Sequence, residues 1–406
     1  METPVARNWP VTALIGTSLF FTGITYASTL NYAAIVGIDT LGIPNALYSV
    51  LLIVASLVGA AASVVLGYIS DRLPDRRILV ILCALAGAVG FGLIFTLRSQ
   101  IAFIVAIGII MPFGAALFSQ SFSFARAYNN ARDPARAEFM TSVLKTIFTV
   151  AWAIVPPFVG WIAATTGVFN VYGIAAAAYL VCIGIFTVLL TMPAAKVGRP
   201  MRPRNAAVDG LPPARIEPAV IVGIVGVALI LVANYTNNVA MPLLITRTLG
   251  GNFGQLGIFA GLAAALELPF ILLWGYSLRW VSKHAIIVVA ALLYAIYLYL
   301  VSRAGSITDI YWLQLINGPA TGALLSIPIS YMQDAIKGRV GLSTSLLDVA
   351  NVASSLSGAV LFGAVTGAAP NYPLLFVIAA GLAVAGALVL FVTHRLMPAA
   401  IPVTSR

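Results

Sequence analysis

Three charged side chains stand inside long apolar runs of this 406-residue chain: Lys145, Glu267 and Asp348. A charge at the centre of a bilayer costs about 2.5–3.5 kcal/mol on insertion scales, so a charge kept there marks a route for protons or ions. Carboxylates and an ammonium group that gain and lose protons as their surroundings change are the chemistry of a coupled carrier. Uncharged amides form a second set. Asn234, Asn237 and Asn238 stand at i, i+3 and i+4, which places them on one helix face. Gln314 and Asn317 stand at i and i+3, and Asn31 and Gln120 occupy two further apolar runs. Aromatic rings accompany them at Tyr26, Tyr32, Tyr235 and Trp152. Neutral donors and acceptors beside flat rings suit sugars, which offer many hydroxyls and C–H faces. A carrier of phosphate or carboxylate would place Arg or Lys at these depths, and these runs show none there.

The elements that must position these residues follow from composition. Hydrophobic residues make up 61% of the chain and charged residues 8%, against about 25% charged in an ordinary soluble domain. So few charges cannot cover a water-facing surface, and the chain reads as all-α and integral to a membrane. A helix needs about 20 apolar residues to span a bilayer. Twelve such runs are predicted, over 10–32, 44–70, 77–97, 101–126, 138–165, 169–192, 218–246, 253–280, 284–302, 307–332, 340–366 and 372–394. The first contains Asn31 and lacks a cleavage pattern, so it reads as a retained helix. Of the 22 Lys and Arg, all but Lys145, Arg98, Arg247 and Arg303 fall in one alternate set of loops and at the two ends. The positive-inside rule makes that set, and both termini, cytoplasmic. The net charge of +10 is spread between the runs, so it reads as topology and not as a nucleic-acid surface.

Other chemistries find little support. Cys83 and Cys182 sit in apolar runs without metal-type spacing, and no cofactor or metal site is expected. His284 and His394 stand at helix ends, where snorkelling to lipid is their expected role. Neither an H-E-x-x-H nor a G-x-S-x-G motif occurs, so an enzyme is not expected.

The chain also repeats itself. Thr141–Thr146 (TSVLKT) recurs as Thr344–Val349 (TSLLDV), and Arg136 as Arg339, both 203 residues on. At the same shift LNYAAI from Leu30 meets ANYTNN from Ala233, while Gly67 and Gly275 match at a shift of 208. Asp348 thus takes the place of Lys145. The Pro- and Arg-rich stretch between the halves reads as a linker. The expected organisation is a six-helix bundle over 1–195, a cytoplasmic linker over 196–217 and a second six-helix bundle over 218–406.

The loop from Gly67 to Arg77 (GYISDRLPDRR) resembles the signature loop of the major facilitator superfamily. That resemblance assigns a cytoplasmic gate to Gly67, Asp71, Arg72 and Arg76, with Gly67 allowing close helix approach. Within the superfamily, SFARAYNNARDPARAEFMTSV, AWAIVPPFVGW, AAALELPFILLWGY, MPLLITRTLG and LQLINGPATGALLSIPISYMQD are similar to stretches of the sugar efflux transporter family. The resemblance implies twelve helices in two pseudo-symmetric six-helix bundles, with a cavity lined by the first, fourth, seventh and tenth. Asn31, Tyr32, Gln120, Trp152, Asn234, Tyr235, Asn237, Asn238, Gln314 and Asn317 are then the expected substrate contacts. It also sets the fifth helix against the eighth, so that Lys145 and Glu267 form the expected coupling pair, with Asp348 the second proton carrier. Pro156-Pro157 with Gly160 is similar to an antiporter motif. The implied activity is proton-coupled export of small saccharides or glycosides by alternating access; multidrug or other small-solute efflux is the alternative. The expected protein is a monomer in a bacterial inner membrane, with sugar, protons and lipid as its partners.

Overall fold

A computed structural model describes residues 9–73, 75–197, 218–335 and 340–396. All regular structure among them is helical. Twelve long helices follow one another. They are α1 (Trp9–Thr40), α2 (Asn45–Arg72), α3 (Arg76–Leu97), α4 (Gln100–Arg132), α5 (Ala137–Thr166) and α6 (Asn170–Thr191). Then come α7 (Val220–Thr248), α8 (Phe253–Ser277), α9 (Lys283–Ser302), α10 (Ile307–Ala335), α11 (Val340–Thr366) and α12 (Tyr372–Leu396). Eleven are long and apolar enough to span a membrane; α10 carries Asp309, Gln314, Asn317 and Pro319 in its length and is more polar. α1 continues to Thr40, past the expected end at 32, because its last turns carry Gly37, Asp39 and Thr40, which dilute the hydropathy without breaking the helix. From residue 198 onward the expected linker lies outside the described residues.

The chain divides into two compact units, one formed by Met1–Gly210 with Pro242–Leu262 and the other by Leu211–Met241 with Ala263–Arg406. In the first, α1 packs on α5 and α6, and α3 packs on α6. A Cβ placed on Gly23 of α1 would lie 2.7 Å from the Phe148 carbonyl oxygen of α5, so only glycine permits that approach. The second unit repeats the plan. α9 packs on α12 and α10, Gly226 of α7 meets Leu390 of α12, and Gly358 of α11 meets the Tyr235 ring. Ser354 of α11 donates to the Ala228 carbonyl of α7 at 3.0 Å.

The end that carries the basic loops repeats its bonding as well. Asp75 caps α3 by accepting from the Arg77 amide, and Ser282 caps α9 by accepting from that of Ala285. Arg76 donates to the Ser123 hydroxyl at 3.1 Å, and Lys283, 207 residues on, donates to the Ser330 carbonyl at 3.3 Å. Arg77 donates to the Leu189 carbonyl near the end of α6 at 2.6 Å, and His284 meets the Leu390 carbonyl of α12 at the same distance. Carbonyls near a helix end lack intrahelical donors, so a cation placed there satisfies them. His284 is only 8% exposed; it turns inward to this carbonyl instead of snorkelling to lipid.

Arg77 is 3% exposed and pairs with Asp75 at 2.5 Å. The hydrogen bond from Arg77 holds the Asp75 carboxyl below its usual range. A lowered carboxylate pKa stabilises the fold above the ordinary value, and that stability is lost as pH falls through the lowered one. Arg77→Met is expected to cost about 3 kcal/mol, because it takes the guanidinium from Asp75, which keeps only the residue-77 backbone amide, and leaves the Leu189 carbonyl without its donor. It should also flatten the acid limb of a thermal-stability profile in detergent. An unchanged midpoint and acid limb would show that the pair is idle.

Candidate substrate and coupling sites

Two groups of side chains stand out, one in each unit. In the first, α4 is interrupted. A π turn spans Ala106–Ile110, Pro112 supplies no amide hydrogen, and the Ala116 amide bonds only three residues back, to Phe113. The carbonyls freed by this break are met by tyrosines: Tyr26 of α1 donates to Ala115, and Tyr179 of α6 donates to Gly114 at 3.3 Å. This bond fixes Tyr26 beside Phe118 and Phe148, with ring centroids 6.5 and 6.4 Å away. Phe118 in turn packs at 4.7 Å from Phe148 and 4.8 Å from Phe122, and Phe148 leads to Trp152 at 6.5 Å. All five rings are half-buried, unlike Phe124 and Phe186, which are sealed in the core. They form an aromatic group with one open side. Asn31 and Gln120 are also half-buried. Tyr32 departs from the expected role: it is fully buried, and its hydroxyl donates to the Phe253 carbonyl at 3.3 Å.

In the second unit the three asparagines of α7 divide. Successive helical residues turn by about 100°, so Asn237 falls to one side of Asn234 and Asn238 to the other. Asn238 is exposed and donates to the Asn234 side-chain oxygen at 3.2 Å. Asn234 donates to the Tyr294 hydroxyl of α9 at 3.3 Å, and Asn237, 6% exposed, faces the same hydroxyl. Gln314 is fully buried, donates to the Ile310 carbonyl at 2.9 Å and accepts from Asn317 at 2.8 Å. Among the described residues the side-chain oxygens of Asn237 and Asn317 have no hydrogen-bond partner, and the Tyr297 hydroxyl faces Gln314, so this buried cluster keeps unused hydrogen-bonding capacity. Asn234 is the polar end of a narrow cleft whose other walls include Val227, Leu231, Leu324 and Pro328. Tyr235 is half-buried against Gly358 of α11. Tyr294 and Tyr297 were not legible as site residues, because a tyrosine in an apolar run gives no sign of what its hydroxyl meets.

Glu267 is half-buried on α8, beside the Thr321 hydroxyl of α10. Gly318 and Gly322 of α10, four residues apart, allow the approach. A Cβ on Gly318 would lie 2.9 Å from that of Leu266, and one on Gly322 would lie 3.1 Å from the Glu267 carbonyl oxygen. Small residues at this spacing let membrane helices pack closely, and the G-x-x-x-G of Gly318–Gly322 carries that signal in the sequence. Trp274 closes the contact by donating to the Pro319 carbonyl at 2.8 Å. Lys145 belongs to the other unit, where its side chain is exposed; Asp348 is exposed on α11.

The loop assigned to a gate needs one correction. Gly67 does not serve close packing: it is exposed, and among the described residues no atom lies within 4 Å of a Cβ built there. The same is true of its repeat partner Gly275. Asp71's side chain lies outside the described residues. Arg72 stacks its guanidinium 3.5 Å over the Tyr68 ring, and Arg76 ties α3 to α4 through Ser123. Arg77, absent from the expected gate, is the buried arginine of the loop.

Membrane helices built as two parallel six-helix repeats are an architecture of secondary transporters. The nucleoside transporter NupG has this fold, with a TM-score of 0.77 at 14% identity over 95% of this chain and 99% of that one. The peptide transporter POT in complex with sulfate gives 0.77 at 13% identity, over 97% and 98%. The family model of the Major Facilitator Superfamily matches residues 9–233, and the chain belongs to that superfamily. Among characterised relatives, sugar efflux transporter A of Escherichia coli (strain K12) is 29% identical over 328 residues, covering 78% of each chain. Sugar efflux transporter B of Salmonella typhimurium (strain LT2) is 27% identical over 72% of each. The chain is a multi-pass membrane protein of a transporter family.

The α8–α10 contact generates a direct expectation. Gly322→Leu overpacks the helices beside Glu267 and should cost about 1–3 kcal/mol, read as a lower thermal midpoint in detergent. Gly275→Leu, which faces open space, should leave the midpoint unchanged. Equal effects would mean that the glycine spacing is incidental.

Proposed function

We propose that this chain exports small saccharides or glycosides across a bacterial inner membrane in exchange for protons, as a monomer with both termini cytoplasmic. The observation that carries this reading is the similarity to sugar efflux transporters across about three quarters of the chain. The side chains support it. Tyr26, Phe118, Phe148 and Trp152 offer half-open rings to the C–H faces of a pyranose. Asn31, Gln120, Asn234 and Asn238 offer neutral donors and acceptors to its hydroxyls. Tyr32, Tyr235, Asn237, Gln314 and Asn317 act behind these, by fixing the helices and amides that touch substrate.

Glu267 carries the proton in this reading. Protonated, it is a neutral hydrogen-bonding group beside Thr321; ionised, it seeks the Lys145 ammonium. Exchange of the proton between these states couples the bundle's two conformations to the pH gradient. Asp348 is the second carboxylate available to the cycle. Arg72 and Arg76, with Gly67 and Asp71 in the same loop, act at the basic end as the gate.

Proteoliposomes with an imposed pH gradient test the reading, using labelled lactose or a thioglucoside beside a cationic dye. Sugar accumulation that an ionophore abolishes is the expected result. Movement of dye without sugar flux would overturn the sugar assignment in favour of drug efflux. Asn234→Ala, which removes one hydrogen bond to substrate, should raise the half-saturating sugar concentration about fivefold. Glu267→Gln should abolish pH-driven accumulation yet leave counterflow exchange intact. Accumulation that survives the change would make Glu267 structural.

A further inference from the structure

The topology rule keeps Lys and Arg away from one end of a membrane protein. At the end opposite the basic loops stand Arg98, Arg247 and Arg303, out of 22 Lys and Arg in the chain. Arg247 is paired with Asp39. Arg98 and Arg303 are exposed, and neither has a carboxylate partner among the described residues. They are placed alike, each directly after the third helix of its half, α3 and α9. The negative end of a helix dipole favours a cation, which explains an arginine at both places. It does not explain how Arg98 is held.

Among the described residues, Arg98 is the one that is not glycine and yet has a left-handed backbone, at φ 49°. A helix that ends in this conformation ordinarily uses glycine, because a side chain strains it. Arg303 ends α9 at φ −106° and bears no such strain. The Arg98 side chain is correspondingly fixed. Its Nε donates to the Phe95 carbonyl of α3 at 3.2 Å. Its guanidinium carbon lies 5.9 Å from the centre of the Phe95 ring and 5.6 Å from that of Phe169, at the start of α6. Both distances are within cation–π range. The Phe95 ring is itself seated on α6, where a Cβ on Gly173 would lie 3.1 Å from it.

These contacts occupy the face of the guanidinium and one of its N–H groups. Its two terminal NH2 groups have no acceptor among the described residues, and a planar pair of donors matches two oxygens of a phosphate. α6 begins beside it, at Phe169, without a side-chain cap, so the positive end of that helix adds to the same attraction. The surface that continues from this cation is apolar. Leu82, Leu85 and Val89 are exposed along α3, and Leu180 and Val188 along α6, which packs on it. In a membrane-spanning protein such faces meet acyl chains. Leu97 and Ile101, also exposed, flank Arg98 in the chain and set it at the edge of the hydrocarbon.

We infer that Arg98, braced by Phe95 and Phe169, is a site for the phosphate of an anionic phospholipid, whose acyl chains lie on the apolar face of α3 and α6. The lipid belongs to the leaflet at the poorly charged end. An arginine that is disfavoured both by topology and by its backbone is kept because the lipid answers its charge. The inference rests on the chain being a multi-pass membrane protein and not on what it transports.

Native mass spectrometry of the full chain in detergent tests it, by counting bound phosphatidylglycerol and phosphatidylcholine. Both lipids carry a phosphate, but the choline of the second already answers its charge. Phosphatidylglycerol is expected to bind in preference, and Arg98→Gln to weaken its first binding step about fivefold, the scale of one arginine at an anionic membrane surface. Arg303→Gln removes a cation from the equivalent helix end, where no pair of rings holds it, and should leave that step unchanged. Arg98→Gly suits the left-handed backbone and should lose the lipid as Arg98→Gln does, so it carries the test if the glutamine variant folds poorly. Equal weakening by the Arg98 and Arg303 changes would show a diffuse attraction and overturn the site. Binding that survives both Arg98 changes, or that does not separate the two lipids, would overturn it too, even if the thermal midpoint falls; Arg98 would then be a helix cap only. Displacement of the lipid by glycerol 3-phosphate would assign the site to a soluble phosphate ester and overturn the lipid.

Discussion

In the hydrocarbon of a bilayer there is no water for a free amide or carbonyl, so each break in a helix must be repaired by the protein itself. Much of this structure answers that constraint. Where α4 loses its ladder around Pro112 and Ala116, the hydroxyls of Tyr26 and Tyr179 take the freed carbonyls. The repair has a consequence for chemistry: it fixes Tyr26 at the centre of the aromatic group of the first unit. Near the ends of α6 and α12, Arg77 and His284 serve the carbonyls of Leu189 and Leu390. The same bond made by two different cations shows that the repeat preserves a physical requirement more faithfully than it preserves a residue.

Helices that cannot gain from burying apolar surface against lipid hold together by close packing instead. Glycines supply it at two places along α8. Gly318 and Gly322 bring α10 against the turn of α8 that bears Glu267, and Gly257 and Gly261 seat the start of α8 on the prolines of α5. One helix thus meets a different partner along each half of its length. That division lets a single helix belong to two compact units.

Polarity within the membrane is spent sparingly and in two forms. Amides and tyrosine hydroxyls form a neutral cluster that is partly satisfied internally, with the oxygens of Asn237 and Asn317 left over among the described residues. Charges either pair, as Asp39 does with Arg247, or stay half-buried or exposed, as Glu267, Lys145 and Asp348 do. The neutral cluster of one unit and the half-open aromatic rings of the other are the surfaces on which the proposed sugar specificity rests, and Glu267 and Asp348 are the carboxylates on which the proposed coupling rests.

Hydropathy determined the number and order of the helices, because the cost of burying polar backbone acts on each 20-residue run independently of the others. The spread of Arg and Lys determined the reading of topology for the same local reason. Residue type and helical spacing brought Asn234, Asn237, Gln314, Asn317 and Glu267 into view. What those side chains meet is a matter of helix rotation and depth, and these are set by neighbours distant in the chain. Only the tertiary structure placed Tyr294 behind Asn234, sealed Tyr32 in the core, left Gly67 without a neighbour among the described residues and joined Asp39 to Arg247, 208 residues away. The repeat that carries this pair was present in the sequence as IDTLG and TRTLG. That the two copies face each other, and so must carry opposite charge, became visible only once the helices were packed.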